Sequence, residues 1–126
     1  GANLAIVAKH RVSATKVESM NVIGDVKGKD AFLIDDMTET GGTLCAAAKI
    51  LKANGAKRIF AGVSHAVIEE HARKRILESD IESLITTNSV PMAYGEKVTA
   101  LSVAPLFGEA IRRIHHGESV TSLFDI

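Results

Sequence analysis

Phe32-Leu33-Ile34-Asp35-Asp36-Met37-Thr38-Glu39-Thr40-Gly41-Gly42-Thr43 is the stretch whose reading decides the fold. The continuous apolar run Ala31 to Ile34, bounded by polar residues, predicts a strand buried on both faces. The chain then meets two adjacent carboxylates and enters a loop, Asp36 to Gly42. Beyond it Leu44, Ala47, Ala48 and Leu51 fall at i, i+3, i+4 and i+7, which predicts a helix from about Thr43 to Asn54. Gly55 is placed to end that helix. Strand, polar loop and helix in this order are the unit of an α/β sheet.

Such a unit has a place for a ligand. In open α/β sheets ligands sit outside the carboxyl ends of the strands. A helix start offers amides without intrahelical partners and the positive end of the dipole. Gly41 and Gly42 let the backbone approach a phosphate closely, and Thr40 and Thr43 add hydroxyl donors. Asp35 and Asp36 suit a different group, since carboxylates accept hydrogen bonds from a sugar diol. Successive strand residues point to opposite faces, so both reach one sugar only if the chain is already turning there. Phosphate at one end and diol at the other describe ribose 5-phosphate. Taken alone, the glycines would be an ordinary turn and Thr43 a simple N-cap.

Working outward, Leu4 to Ala8 and Asn21 to Val26 read as strands, with Val12 to Met20 as a loop between them. Arg58 to Val63, Leu84 to Thr87 and Val98 to Val103 also read as strands. Ile68 to Leu77 reads as a helix, supported by the pairs Glu69–Arg73 and Glu70–Lys74. A last helix begins near Pro105, with Phe107, Ala110, Ile111 and Ile114 as its expected buried stripe and Gly117 as its stop. The alternation predicts a single α/β domain over 1–126: a three-layer, mostly parallel twisted sheet flanked by helices.

Composition narrows the function. Fifteen Lys and Arg balance fifteen Asp and Glu, so no net field argues for nucleic acid or a membrane surface. Trp is absent and aromatics make up 4%, which leaves little to stack bases on. The single cysteine, Cys45, rules out an internal disulfide and fits a reducing, cytoplasmic home. No apolar run approaches a membrane span. The chain opens on Gly1-Ala2 without an initiator Met, and it is expected to be a piece of a longer protein. It contains no Gly-x-x-x-x-Gly-Lys-Ser/Thr loop, no Gly-x-Gly-x-x-Gly and no His-Glu-x-x-His or paired-cysteine zinc pattern.

The quoted stretch resembles the phosphoribosyl pyrophosphate loop of the type I phosphoribosyltransferase fold. Other segments are similar to the ribose-phosphate pyrophosphokinases that share it: Asn21-Val-Ile-Gly-Asp-Val-Lys-Gly-Lys, Asn54-Gly-Ala-Lys-Arg-Ile, Thr87-Asn-Ser-Val-Pro and the tail from Leu101 to Phe124. The tail favours the pyrophosphokinases, and within them the C-terminal domain. The resemblance implies transfer of the pyrophosphoryl group of ATP to the 1-hydroxyl of ribose 5-phosphate, giving phosphoribosyl pyrophosphate and AMP, with Mg²⁺ as cofactor. It implies that Asp35 and Asp36 hold the ribose hydroxyls, partly through metal, and that Glu39, Thr40, Gly41, Gly42 and Thr43 cradle the 5-phosphate. Lys9 and Arg11 would be the catalytic cations at the root of a flexible loop. Ser119 and Thr121 match positions that bind regulatory phosphate. The family forms dimers that build hexamers.

Three departures stand out. His10 replaces an Arg, Glu39 replaces an Asp, and Glu69-Glu70-His71 stands where the family has Ser-Gly-Pro. The domain that carries the ATP site has no counterpart in this sequence, so the chain alone is expected to be inactive. Two alternatives remain open: a phosphoribosyltransferase that consumes phosphoribosyl pyrophosphate, and a non-catalytic regulatory homologue.

Overall fold

Runs rich in Ile, Leu, Val and Phe alternate with helical segments long enough to cross a sheet, and this chain uses them to build parallel pairings. The computed structural model describes residues 2–10, 19–91 and 95–124. In chain order the elements are β1 (Ile6–His10), β2 (Ser19–Ile23), β3 (Asp30–Thr38), α1 (Gly42–Ala53), β4 (Arg58–Ala66), α2 (Glu70–Leu77), β5 (Ser83–Thr87), β6 (Val98–Leu101) and α3 (Ala104–His115). A 3-10 turn follows at Thr121–Leu123. β3, β4, β5 and β6 form a parallel sheet in that order, and β1 pairs antiparallel with β2 in a separate two-stranded sheet. The expected α/β class, a parallel sheet flanked by helices, is what forms.

Both crossover helices cover one face, as right-handed connections between successive neighbours require. Leu44, Ala48 and Leu51 of α1 and Ile76 of α2 join Ile59, Ala61, Val63 and Leu84 of the sheet in one core. The stripe predicted for α1 is the one buried: Leu44, Ala47, Ala48 and Leu51. Gly55 takes φ 88° just past the helix, the conformation an ending glycine supplies without steric cost. No helix of the described residues is long and apolar enough to cross a membrane.

Two expectations fail on the opposite face. β3 is not buried on both sides, since Phe32 is 54% and Ile34 82% exposed. α3 carries its apolar stripe as predicted, yet buries none of it: Phe107 is 54% exposed, and Ile111 and Ile114 are each 68% exposed. The reason is shared. α1 and α2 occupy the same side of the sheet, and α3 follows the edge strand β6 without folding back over the other side.

α3 instead makes an ionic clasp with the tail. Glu109 accepts from Arg112 Nε at 2.9 Å and from Arg113 Nε at 2.7 Å. Arg112 also donates to Glu118 at 2.7 Å, and Arg113 Nη1 to Ser122 Oγ at 2.6 Å. The Arg112 and Arg113 guanidiniums hold the Glu109 carboxyl down to about 2, from an ordinary 4.5. A depressed carboxylate contributes its stabilisation above its unfolded value and loses it as pH falls through the folded one. The clasp is therefore expected to persist down to about pH 4.5 and to open as pH falls towards about 2. A carboxyl ¹³C titration of Glu109 checks this: a midpoint near 2 is expected, and one at 4.5 would contradict it.

Candidate functional site

β3 runs further than the sequence suggests, and this shapes the site. It passes Asp35 and Asp36 and ends at Thr38, so the loop before α1 shrinks to Glu39–Gly41. The parallel ladder pairs Asp35 with Val63 and Met37 with His65, stepping over Asp36. There the carboxylates take local amides: Asp36 N–H donates to Asp35 Oδ1 at 3.0 Å, and Met37 N–H to Asp36 Oδ1 at 2.8 Å. The two carboxylates are exposed, and they belong to successive strand residues rather than to a turn.

The loop is held from behind. Thr38 is buried, and its carbonyl accepts from Val67 N–H at 2.9 Å. Gly41 sits at φ 66° as the residue capping α1, with no side-chain cap, so Thr43 is inside the helix and is not its N-cap. A Cβ on Gly41 would stand 3.1 Å from Ile76 Cγ1. Gly42 N–H meets Thr40 Oγ1 at 3.3 Å, and Cys45 N–H closes the first helical bond onto the Gly41 carbonyl at 2.9 Å. Cys45 itself is half-buried, as expected of a small packed side chain, and burial pushes its thiol up.

In front of the loop lies a cavity of about 260 Å³, lined by Asp35, Met37, Thr38, Glu39, Thr40, Gly42 and Thr43. Asp35 thus joins the residues predicted to cradle phosphate. Asp36 is not among the lining residues, and Gly41 is buried beneath them. A second cavity of about 310 Å³ continues past Asp35 and Thr43 to Ile6, Val7 and Met20 of the hairpin. Met20 is the strand partner of Lys9. The backbone of Lys9 therefore belongs to the hairpin end that borders the site, while Arg11 lies outside the described residues.

Chemically, this arrangement offers a carboxylate for hydroxyl groups and a helix start with two hydroxyls for an anion, a few residues apart. Among the described residues no group of three or more His, Cys, Asp and Glu gathers to hold a metal. Asp35 and Glu39 are the carboxylates that line the cavity. Ser119 and Thr121 do meet each other, Oγ to Oγ1 at 3.1 Å, but beyond α3 and away from this cavity.

Sequence reasoning missed two groups of contacts. His65 Nδ1 lies 2.7 Å from Ser89 Oγ, and Thr87 Oγ1 donates to the Ser64 carbonyl at 2.7 Å. These bonds lace together the carboxyl ends of β4 and β5, next to the end of β3. The other is Arg75 of α2, whose Nη1 donates to the Thr40 carbonyl at 2.9 Å. In the sequence, the turn-forming residues of Thr87-Asn88-Ser89 are the signal for this strand-end clasp.

Residues 3–125 match the model of a family described as the phosphoribosyl synthetase-associated domain. A ribose-phosphate pyrophosphokinase of Helicobacter pylori is 50% identical over 125 residues, which covers 98% of this chain and 39% of that protein. One from Prochlorococcus marinus is 50% identical over 127 residues, covering 98% of this chain and 38% of that one. Among solved structures, the phosphoribosylpyrophosphate synthetase of Mycobacterium smegmatis superposes with a TM-score of 0.76 at 37% identity, over 79% of this chain and 34% of that one. The chain spans about two fifths of the length of the curated relatives it matches.

Proposed function

The chain belongs to the phosphoribosyl synthetase-associated domain family, and from that premise we propose that it is the ribose 5-phosphate-binding, C-terminal portion of a ribose-phosphate pyrophosphokinase. One observation carries the reading: Asp35, Glu39, Thr40, Gly42 and Thr43 line a common cavity at the carboxyl end of β3. The 5-phosphate lies against the start of α1, where amides and the helix dipole favour an anion. Thr40 and Thr43 add hydroxyl donors, and Asp35 accepts from the ribose hydroxyls.

The reaction that fits joins ribose 5-phosphate to ATP. The ribose O1 gives up its hydroxyl proton to solvent and forms a bond to the β-phosphorus, the bond from that phosphorus to the bridging oxygen of the α-phosphate breaks, and AMP leaves. Catalysis of this type is largely positioning and charge stabilisation. In this chain Lys9 supplies a cation at the end of the hairpin, with Arg11 following it. Of the two expected metal carboxylates only Asp35 lines the cavity, so Mg²⁺ would be held there by Asp35 with substrate oxygens and water, which suits an ion that commonly takes only one or two protein carboxylates. Bound there, it would neutralise charge on the phosphates being transferred. The adenine site belongs to the rest of the protein.

The two carboxylates provide the test. Asp35→Ala is expected to weaken ribose 5-phosphate binding by roughly tenfold, the size of a lost hydrogen bond to a charged group. Asp36→Ala, whose carboxylate is outside the cavity lining, should weaken it less. Isothermal titration of both variants decides, and wild-type affinity in Asp35→Ala would sink the assignment.

A further inference from the structure

Arg75 stands behind the loop that faces the ligand. It comes from α2, 35 residues along the chain from Thr40, and its Nη1 donates to the Thr40 carbonyl at 2.9 Å. The same nitrogen lies 3.3 Å from where a Cβ on Gly42 would stand. One residue on, Ile76 packs beneath Gly41. α2 therefore braces the loop at consecutive positions, and Arg75 is the charged one.

The contact falls on a peptide with two polar ends. The Thr40 carbonyl points to the guanidinium, and the other end of the same planar unit is the Gly41 N–H. A cation on a carbonyl oxygen draws electron density through the amide and makes its N–H a stronger donor. It also sets a positive charge close behind an anion-binding loop, where the first turn of α1 has no acidic residue to oppose it.

We infer that Arg75 is a positioning residue for the 5-phosphate: it fixes the Thr40–Gly41 peptide and holds a positive charge behind the loop without touching the ligand. This rests on the ribose 5-phosphate reading above. Arg75 and Thr40 are both exposed, so replacing the side chain leaves neither a core cavity nor a carbonyl hidden from water. Arg75→Met should therefore fold with an unchanged melting temperature.

The test compares wild type, Arg75→Met and Arg75→Lys by amide NMR and by titration with ribose 5-phosphate. In Arg75→Met the Gly41 amide proton is expected to move upfield before any ligand is added, and the Kd to rise about fivefold, the scale of one charge acting at short range through a solvated surface. Arg75→Lys, which keeps the charge and one donor, should recover most of both. An unmoved Gly41 resonance, or an unchanged Kd beside a binding wild type, would overturn the inference alone. Equal loss in Arg75→Lys and Arg75→Met would remove the role of charge and overturn it too. A wild type that does not bind ribose 5-phosphate would overturn the site reading and the inference together.

Discussion

Lys9→Ala in the full-length protein is expected to lower AMP formation from ATP and ribose 5-phosphate by roughly 10²–10³-fold, the usual loss when one charge-stabilising donor is removed from a transition state. Lys9 is next to last in β1 and pairs with Met20. Met20 shares a cavity with Asp35 and Thr43, so the hairpin end opens toward the loop proposed to hold the sugar phosphate. Charge developing on the transferred phosphates would be met from that side. The expected signature is a fall in kcat with little change in the binding of ribose 5-phosphate, because the interaction is made mainly in the transition state. An undiminished rate would mean that Lys9 is not catalytic and would favour a regulatory role for the chain.

Gly41→Ala is expected to cost about 2–5 kcal/mol of folding stability, one part from the left-handed backbone and one from overpacking. Gly28 provides the control. Its φ of 70° is close to the 66° of Gly41, but a Cβ there meets nothing within 4 Å. Gly28→Ala should therefore cost only the backbone part, about 1–2 kcal/mol. At Gly41 the new methyl would press on Ile76, which is 1% exposed and has core on its other sides. Either α2 shifts away from the loop or the loop leaves its φ, so ribose 5-phosphate affinity should fall with stability. Denaturant titration of the two variants checks the difference. Equal costs at Gly28 and Gly41 would show that α2 does not brace the loop as described.

Much of this was legible in the residues, and the failures have a common cause. The spacing of Leu44, Ala47, Ala48 and Leu51 named the buried face of α1 correctly, because a neighbouring strand on each side guaranteed a core for it. The same reasoning named the apolar face of α3 correctly but its burial wrongly: periodicity says which residues share a face, not what covers that face. Asp35 and Asp36 read as a strand end because the apolar run stops at Ile34. In the structure the ladder with β4 carries β3 on to Thr38, and each carboxylate takes the next residue's amide. Gly41 and Gly42 announced the loop, whereas Arg75 did not. A contact between residues 35 apart, on different elements, leaves no mark in local spacing.

The most direct measurement is an amide NMR titration of this chain with ribose 5-phosphate. Shifts should concentrate at residues 36–43, with Gly41 among the largest, and should vanish in the Asp35→Ala/Asp36→Ala double variant. A folded chain whose amides over 36–43 do not move at saturating ribose 5-phosphate would contradict a preformed sugar-phosphate site at the end of β3.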